Sequence, residues 1–241
     1  MSNKHEAIWV VIPAAGVGKR MQADRPKQYL PLLDKCVIEQ TIACFSSHPK
    51  ISGIIIALSP DDPYWKDLDI NCDKPLYTVD GGNERCDSVL NALVYLKSEL
   101  ALHDDSWVMV HDAARPCLSQ EDLNKLITAL ENSAVGGILA SPVRDTMKRS
   151  SDSNQHIIHH TENRDNLWHA LTPQMFRFAL LFDALQQALD NNISITDDAS
   201  AIEYLGLPAE LIEGDASNIK ITKPSDLALA EFFLSRAKES V

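Results

Sequence analysis

Apolar and polar positions along this chain follow two alternating rhythms. Residues Ile8-Trp9-Val10-Val11-Ile12 are an unbroken apolar run rich in β-branched side chains, the pattern of a strand buried on both faces. From Cys36 to Phe45 the period lengthens, placing Val37, Ile38, Thr41, Ile42 and Phe45 on one helical face. Ile51 to Leu58 is a second buried strand, and Tyr77 to Asp80 a shorter one. Residues 84–99 read as a helix through Val89, Leu93, Leu96 and Leu100, and Ser106 to Asp112 as the next strand. Ser119-Gln120-Glu121-Asp122 has the pattern of a capping box opening a helix, and Val135 to Ala140 that of another strand. Such alternation means a mostly parallel sheet covered by helices on both faces, with ligands at the carboxyl ends of its strands.

The pattern breaks between Ser141 and about Asn166. Pro142 to Arg149 and His156 to Thr161 read as two strands joined by the polar turn Ser150 to Asn154, and neither has a strong core face. A projecting ribbon of this kind is marginal alone and needs something to pack on, for which a second copy of the chain is the natural candidate. The α/β pattern then resumes. Phe178 to Leu189 and Asp197 to Leu205 read as helices, Ala209 to Glu213 and Asn218 to Ile221 as short strands. A final helix runs from about Ser225 to Ala237, with Pro224 near its start. One α/β domain spanning residues 1–241, with an arm at 142–166, is the expected organisation.

Composition narrows the function classes. The chain is 45% apolar and 23% charged, ordinary for a soluble globular protein. A formal charge of −12 argues against a nucleic-acid polymer or an anionic membrane as partner. Five scattered cysteines with no Cys-x-x-Cys spacing favour reduced thiols in a cytoplasmic chain over a disulfide frame or zinc site. No signal peptide and no run long enough to span a bilayer is expected. His156, His159 and His160 lie in the proposed arm, but adjacent strand residues face opposite ways, which makes them poor joint metal ligands.

Against this acidic background the loop after the first strand stands out. Pro13, Ala14, Ala15, Gly16 and Gly18 let the backbone approach a ligand closely, while Lys19, Arg20 and Lys27 set three cations beside it. Backbone donors and mobile cations suit a polyphosphate, whose charge must be neutralised before an oxygen nucleophile approaches phosphorus. The glycines are too close together for a Walker A loop, and Met21 stands where a dinucleotide fingerprint needs a small residue. An ordinary Gly-rich turn from strand to helix also accounts for a lone Gly-x-Gly.

Four further stretches fall where an α/β sheet presents a site. Gly81-Gly82-Asn83-Glu84-Arg85-Cys86-Asp87-Ser88 is a strand-to-helix turn that could equally be a plain tight turn. His111-Asp112-Ala113-Ala114-Arg115 follows a strand. Asp112 suits Mg²⁺, a hard cation that usually shares a carboxylate with substrate phosphates, although Asp112 and Arg115 could simply pair. Arg144 to Thr146 and Thr161 to Gln174 bracket the arm, with Arg164 readable as a solvated surface residue. Thr196 could merely cap the helix starting at Asp197, whereas Lys220 sits in an otherwise apolar stretch and needs a partner.

Pro13 to Met21 followed by Pro26-Lys27-Gln28-Tyr29 resembles the signature of the cytidylyltransferases that act on 2-C-methyl-D-erythritol 4-phosphate in the non-mevalonate isoprenoid pathway. The resemblance runs from about Ile8 to Ala237. It implies a Rossmann-like nucleotidyltransferase fold with a dimerisation arm, CTP as donor, Mg²⁺ as cofactor and a homodimer. Ala14, Ala15, Gly16, Gly18, Lys27, Gly82, Asn83, Ser88, Asp112 and Ala113 would bind the nucleotide, with Asp112 taking the metal. Arg20, Lys27, Arg164 and Lys220 would be catalytic. Arg115, Thr146, Arg164, Thr172, Thr196 and Lys220 would hold the alcohol phosphate, Arg164 reaching across the dimer. A sister enzyme using ribitol or another polyol phosphate would share the nucleotide half, and a CTP-sensing module without turnover is the reading from a different class.

Overall fold

A computed structural model describes residues 7–16, 21, 24–151 and 156–239. Strand β1 (Ile8–Pro13) is followed by a small hairpin, β2 (Pro31–Leu32) and β3 (Lys35–Cys36), and by helix α1 (Val37–Ser46). Then come β4 (Ile51–Leu58), β5 (Leu76–Asp80), α2 (Arg85–Ser98), β6 (Trp107–Val110), α3 (Gln120–Leu130) and β7 (Gly136–Pro142). A ribbon of β8 (Lys148–Ser150) and β9 (Ile158–Thr161) precedes β10 (Trp168–Arg177) and α4 (Phe178–Asp190). The chain ends with α5 (Asp198–Tyr204), β11 (Glu210–Glu213) and α6 (Pro224–Glu239).

Seven strands form one sheet in the order β11-β7-β10-β6-β1-β4-β5. β1 lies parallel to both β4 and β6, β4 is parallel to β5, and β7 is parallel to β11. β10 alone runs against its neighbours β6 and β7. The sheet is therefore the expected mostly parallel one, flanked by helices on both faces. Alternate residues of the central strands feed the two sides. Val10, Ile12, Ile54 and Ile56 meet Ile38, Ile42 and Phe45 of α1 and Leu123, Leu126 and Leu130 of α3. Val11 and Ile55 face the other way, toward Val89, Leu93 and Leu96 of α2 and Leu181 and Leu185 of α4. Each such side chain, fully removed from water, contributes about 1.5–3 kcal/mol, so the central strands anchor the sheet.

The buried face of α1 consists of Val37, Ile38, Thr41, Ile42 and Phe45, the face its periodicity predicts. Pro224 is the first residue of α6, where its missing N–H is not needed. Two sequence expectations fail for identifiable reasons. Residues 218–221 form no strand and join no sheet, and two of their carbonyls serve side chains instead of a neighbouring strand. The Asn218 carbonyl accepts from Arg115 Nη1 at 2.7 Å, and the Ile221 carbonyl from Lys27 Nζ at 3.0 Å. The ribbon strands are also shorter than the expected 142–149 and 156–161. Residues up to Pro142 belong to the main sheet, where Pro142 is paired with Trp168, and every residue of β8 and β9 is exposed.

The capping box expected at α3 is only half made. Ser119 Oγ accepts from the Asp122 N–H at 3.0 Å, but the Asp122 carboxylate turns away and accepts from the Asp215 N–H at 2.9 Å. That bond fastens the turn after β11 to the start of α3. Ser119→Ala should therefore cost about 1 kcal/mol, the ordinary loss of a cap. Asp122→Ala should cost about 1–3 kcal/mol, because it strands a backbone donor as well. Urea unfolding of both variants checks this; a loss below about 0.5 kcal/mol for Asp122→Ala would remove the tie.

Candidate active site

The carboxyl ends of β1, β4, β5 and β6 open on one side of the sheet, and the loops that follow them build the site. After β1, the Ala14 N–H still donates to Ala57 O at 2.8 Å, which holds the first loop residue on the sheet. Gln28, 3% exposed, then takes over. Its Nε2 donates to Ala14 O at 2.6 Å and to Gly16 O at 3.1 Å, fixing the loop by its carbonyls. The Gln28 signal was present in the Pro-Lys-Gln-Tyr segment, yet nothing in the residue alone says that an amide will reach back to that loop.

The loop after β5 forms the facing wall. A Cβ on Gly81 would lie 2.5 Å from the Cβ of Ala15, so glycine is what allows the two loops to touch. Ser88 ties the second loop from within: its Oγ accepts from the Gly82 N–H at 3.0 Å and donates to Glu84 O at 3.1 Å. Between the walls lies a cavity of about 190 Å³ lined by Ala14, Ala15, Gly16, Lys27, Gly82, Asn83, Ser88, Asp112, Ala113 and Lys220. Nine of these are residues expected to bind the nucleotide, and Lys220 is one expected to hold the acceptor phosphate. Gly18 and Arg20 lie outside the described residues.

The floor is set by residues that follow β6. The antiparallel register of β10, which pairs Gln174 with Val110, brings Thr172 beside Asp112. Thr172 Oγ1 accepts from the Asp112 N–H at 3.1 Å and lies 3.0 Å from His111 Nδ1, while His111 Nε2 lies 2.9 Å from Arg115 O. A carbonyl can only accept, so Nε2 carries the proton and Nδ1 receives the threonine hydroxyl. Burial of this neutral imidazole pushes its pKa down to about 4, and Phe45 packs edge-on against it with centroids 5.0 Å apart.

The Asp112 carboxylate sits among three cations. Oδ1 accepts from Arg85 Nε at 3.0 Å; Oδ2 lies 2.8 Å from Lys220 Nζ and 3.5 Å from Arg115 Nε. Burial opposes ionisation, but Arg85, Lys220 and Arg115 outweigh it and hold the carboxyl far below the usual carboxylate range. The pairing of Asp112 with Arg115 that the sequence left open is thus made, though Lys220 lies closer. Lys220 finds its partner here.

A second cavity, of about 270 Å³, adjoins this floor and is lined by Arg115, Thr172 and Thr196 together with Arg85, Asp112 and Lys220. Four of the six expected acceptor residues, Arg115, Thr172, Thr196 and Lys220, line this cavity, Lys220 lining the first one as well. Arg164 and Thr146 line neither cavity. Both are exposed near the ribbon, and Arg164 Nη1 donates to the Arg144 carbonyl. Thr196 is exposed and does not cap α5; Asp197 does, accepting from the Ser200 N–H at 3.0 Å.

Asp112 is the carboxylate to weigh as a cation ligand, and both of its oxygens already meet cations, Oδ1 from Arg85 and Oδ2 from Lys220. Among the described residues no group of three or more His, Cys, Asp or Glu could hold a metal ion. A lone carboxylate beside a cavity is of the kind Mg²⁺ takes, since that ion uses one or two carboxylates and completes its shell with phosphate and water oxygens.

Residues 8–236 match the family described as IspD, 2-C-methyl-D-erythritol 4-phosphate cytidylyltransferase. The chain belongs to that family. A protein of that name from Vibrio atlanticus is 53% identical over 239 residues, covering 99% of this chain and 100% of its own. The Vibrio cholerae protein of that name is 54% identical over 229 residues, 95% of this chain and 97% of its own. Among solved structures, a 4-diphosphocytidyl-2C-methyl-D-erythritol synthase matches with a TM-score of 0.83 at 36% identity, covering 95% of this chain and 99% of its own. The Francisella tularensis cytidylyltransferase matches with a TM-score of 0.81 at 35% identity, covering 94% of this chain and 99% of its own. The fold is accordingly the Rossmann-like nucleotidyltransferase fold of IspD, and the chain is a nucleotidyltransferase.

The buried histidine makes the site sensitive to acid. Unfolding returns His111 from about 4 toward its ordinary 6.5, so between those pH values the unfolded chain binds a proton that the folded chain does not. Stability is intact above about 6.5 and falls with pH toward 4, by at most about 3 kcal/mol. Urea titrations of wild type and His111→Asn from pH 4 to 7 should show the steeper loss in wild type. Parallel curves would mean that His111 does not carry it.

Proposed function

We propose that this chain transfers the CMP group of CTP to 2-C-methyl-D-erythritol 4-phosphate, forming 4-diphosphocytidyl-2-C-methyl-D-erythritol and pyrophosphate. The observation that carries this reading is the meeting of two cavities at Asp112 and Lys220, one lined for a nucleotide and the other for a phosphorylated alcohol. An oxygen of the acceptor phosphate attacks the α-phosphorus of CTP in line. The bond to the bridging oxygen breaks, its electrons leave with pyrophosphate, and a phosphoanhydride forms. A phosphate monoester dianion is its own nucleophile, so the site needs no strong base. Its work is to align the two phosphates and to neutralise charge on the α-phosphoryl oxygens.

Lys27 reaches the nucleotide cavity from the segment after the loop, and its ammonium is fixed by the Ile221 carbonyl. Together with Arg20 it would take the growing negative charge. Ala14, Ala15 and Gly16, held by Gln28, would receive the triphosphate tail, with Gly18 continuing that loop. Gly82, Asn83 and Ala113 would frame the base and ribose, and Ser88 acts by keeping the Gly82 loop in place. Asp112 would hold Mg²⁺, whose charge helps neutralise the phosphates. Arg115 and Lys220 would bind the acceptor phosphate beside Thr172 and Thr196.

Arg164 and Thr146 would serve the active site of a second copy in a homodimer. The ribbon supports this: besides its exposed strands, Ile157 and Ile158 are 56% and 62% exposed, apolar surface that a partner would cover. The compartment proposed is the cytoplasm, where free thiols such as the five cysteines here are kept reduced.

Lys27→Ala and Arg20→Ala should each lower kcat by 10²–10³, about 3–4 kcal/mol of lost charge stabilisation, with the fold retained. Near wild-type kcat in both would sink the role given to the loop. Pyrophosphate release with Mg²⁺ should require CTP in preference to ATP, GTP or UTP. It should also require 2-C-methyl-D-erythritol 4-phosphate in preference to ribitol 5-phosphate; the reverse preference would make this a sister enzyme. Mixed dimers of Arg20→Ala and Arg164→Ala subunits should regain one working site in two. No recovery from dimers shown to be mixed would mean that the arm acts on its own subunit.

A further inference from the structure

Arg85 stands at the turn from β5 into α2, and no role in the reaction above uses it. We infer that Arg85 is a positioning residue, gripping the buried Asp198 with one nitrogen and Asp112 with another, and so fixing the Asp112 carboxylate where the two cavities meet. Its Nη2 lies 2.8 Å from Asp198 Oδ2 and its Nε 3.0 Å from Asp112 Oδ1. These partners are 113 and 27 residues away in sequence, on different elements. Two directed bonds to two carboxylates need a rigid planar fork, which arginine has and lysine lacks.

The position argues for a task beyond the helix. Arg85 is the first residue of α2, the end where a cation is disfavoured by the helix dipole. It does not cap that helix. Glu84 and Asp87 do so between them, the Asp87 carboxylate accepting from the Glu84 N–H at 2.9 Å. A locally unfavourable residue whose charge is matched only by distant acids is what a site, rather than a helix, requires.

Asp198 is suited to be the anchor and not the ligand contact. It is fully buried, its Oδ1 has no hydrogen-bond partner, and it lines neither cavity. Its helix is fastened to β10 by Gln174, whose Oε1 accepts from the Ala199 N–H and whose Nε2 donates to Asp197, each at 2.8 Å. A fixed carboxylate therefore orients Arg85, and Arg85 orients Asp112. The other carboxylate oxygen of Asp112 meets Lys220, whose side chain is 38% exposed and comes from a segment outside the sheet. Removing Arg85 would leave that half-exposed contact and the longer one to Arg115. A reacting group must be held within about 0.5 Å of its productive place.

This inference rests on the proposed role of Asp112 toward the phosphates, and the test separates the two. Arg85→Lys, Arg85→Gln, Asp198→Ala, Asp112→Asn and the double variant Arg85→Gln/Asp112→Asn are compared with wild type. The readouts are kcat, KM for CTP, melting temperature, and equilibrium binding of CTP with Mg²⁺ in the absence of acceptor. Arg85→Lys keeps the charge and loses the fork; it should lower kcat 10- to 100-fold, the usual cost of a lost orienting partner, while CTP affinity stays within threefold. Asp198→Ala should reproduce much of that loss from outside both cavities. In the Asp112→Asn background, Arg85→Gln should change kcat/KM by less than threefold, since the group it positions is gone. Arg85→Lys within threefold of wild-type kcat would overturn the inference, as would losses that multiply in the double variant. Asp112→Asn at near wild-type activity would instead overturn the reading on which it rests.

Discussion

A carboxylate taken out of water is costly unless its charge is answered, and Asp112 is answered by three cations from three parts of the chain. Arg85 comes from the start of α2, Arg115 from the loop after β6, and Lys220 from the segment before α6. None of these contacts is local except that of Arg115, so the cluster forms only when the sheet and both helical layers are in place. Removing one member of such a cluster leaves uncompensated charge, typically about 3–5 kcal/mol for a buried pair. The same constraint that makes the cluster costly to break also makes it a receptor. Two carboxylates, Asp112 and Asp198, stand against three cations, and Lys220 and Arg115 border the cavities.

The backbone beneath the cluster is fixed by neutral groups. The Asp112 N–H, the Thr172 hydroxyl and the His111 ring form a continuous chain ending on the Arg115 carbonyl. Because His111 stays neutral it adds no fourth cation beneath the carboxylate, and because both its nitrogens are engaged it keeps one tautomer. Thr172 was expected to touch the acceptor. Its hydroxyl is already committed to this chain, so what it offers the second cavity is mainly its methyl group and the placement of Asp112.

Much of this was legible in the sequence. The apolar rhythm marked the central strands and the face of α1 because burial alone dictates those positions. Gly16, Gly82 and Asp112 fell at strand ends, where an α/β sheet exposes its loops. β10 was not legible. Its middle, Ala170 to Gln174, contains Pro173, and proline argues against a central strand. The structure accommodates it at a register shift between Ala170 and Gln174 in the pairing with β7. Residues 218–221 failed in the opposite sense, since an apolar extended pattern cannot reveal that its carbonyls are reserved for Arg115 and Lys27. Arg85 and Gln28 stayed silent because their meaning lies wholly in distant partners.

An overall charge of −12 opposes the approach of a triphosphate and of a phosphate monoester alike. Distance resolves the conflict. At physiological ionic strength the Debye length is about 8 Å, so acids spread over a surface contribute little at the bottom of a cleft. Arg115, Lys220 and Lys27 border the cavities themselves, within direct reach of a bound ligand, while Arg85 lines both with its guanidinium committed to Asp112 and Asp198. The acidic exterior then acts on encounter and solubility, whereas the cations of the cleft act on binding and on the charge that grows during transfer. Local geometry outranks net charge here, which is why a composition that argues against a nucleic-acid polymer does not argue against a nucleotide.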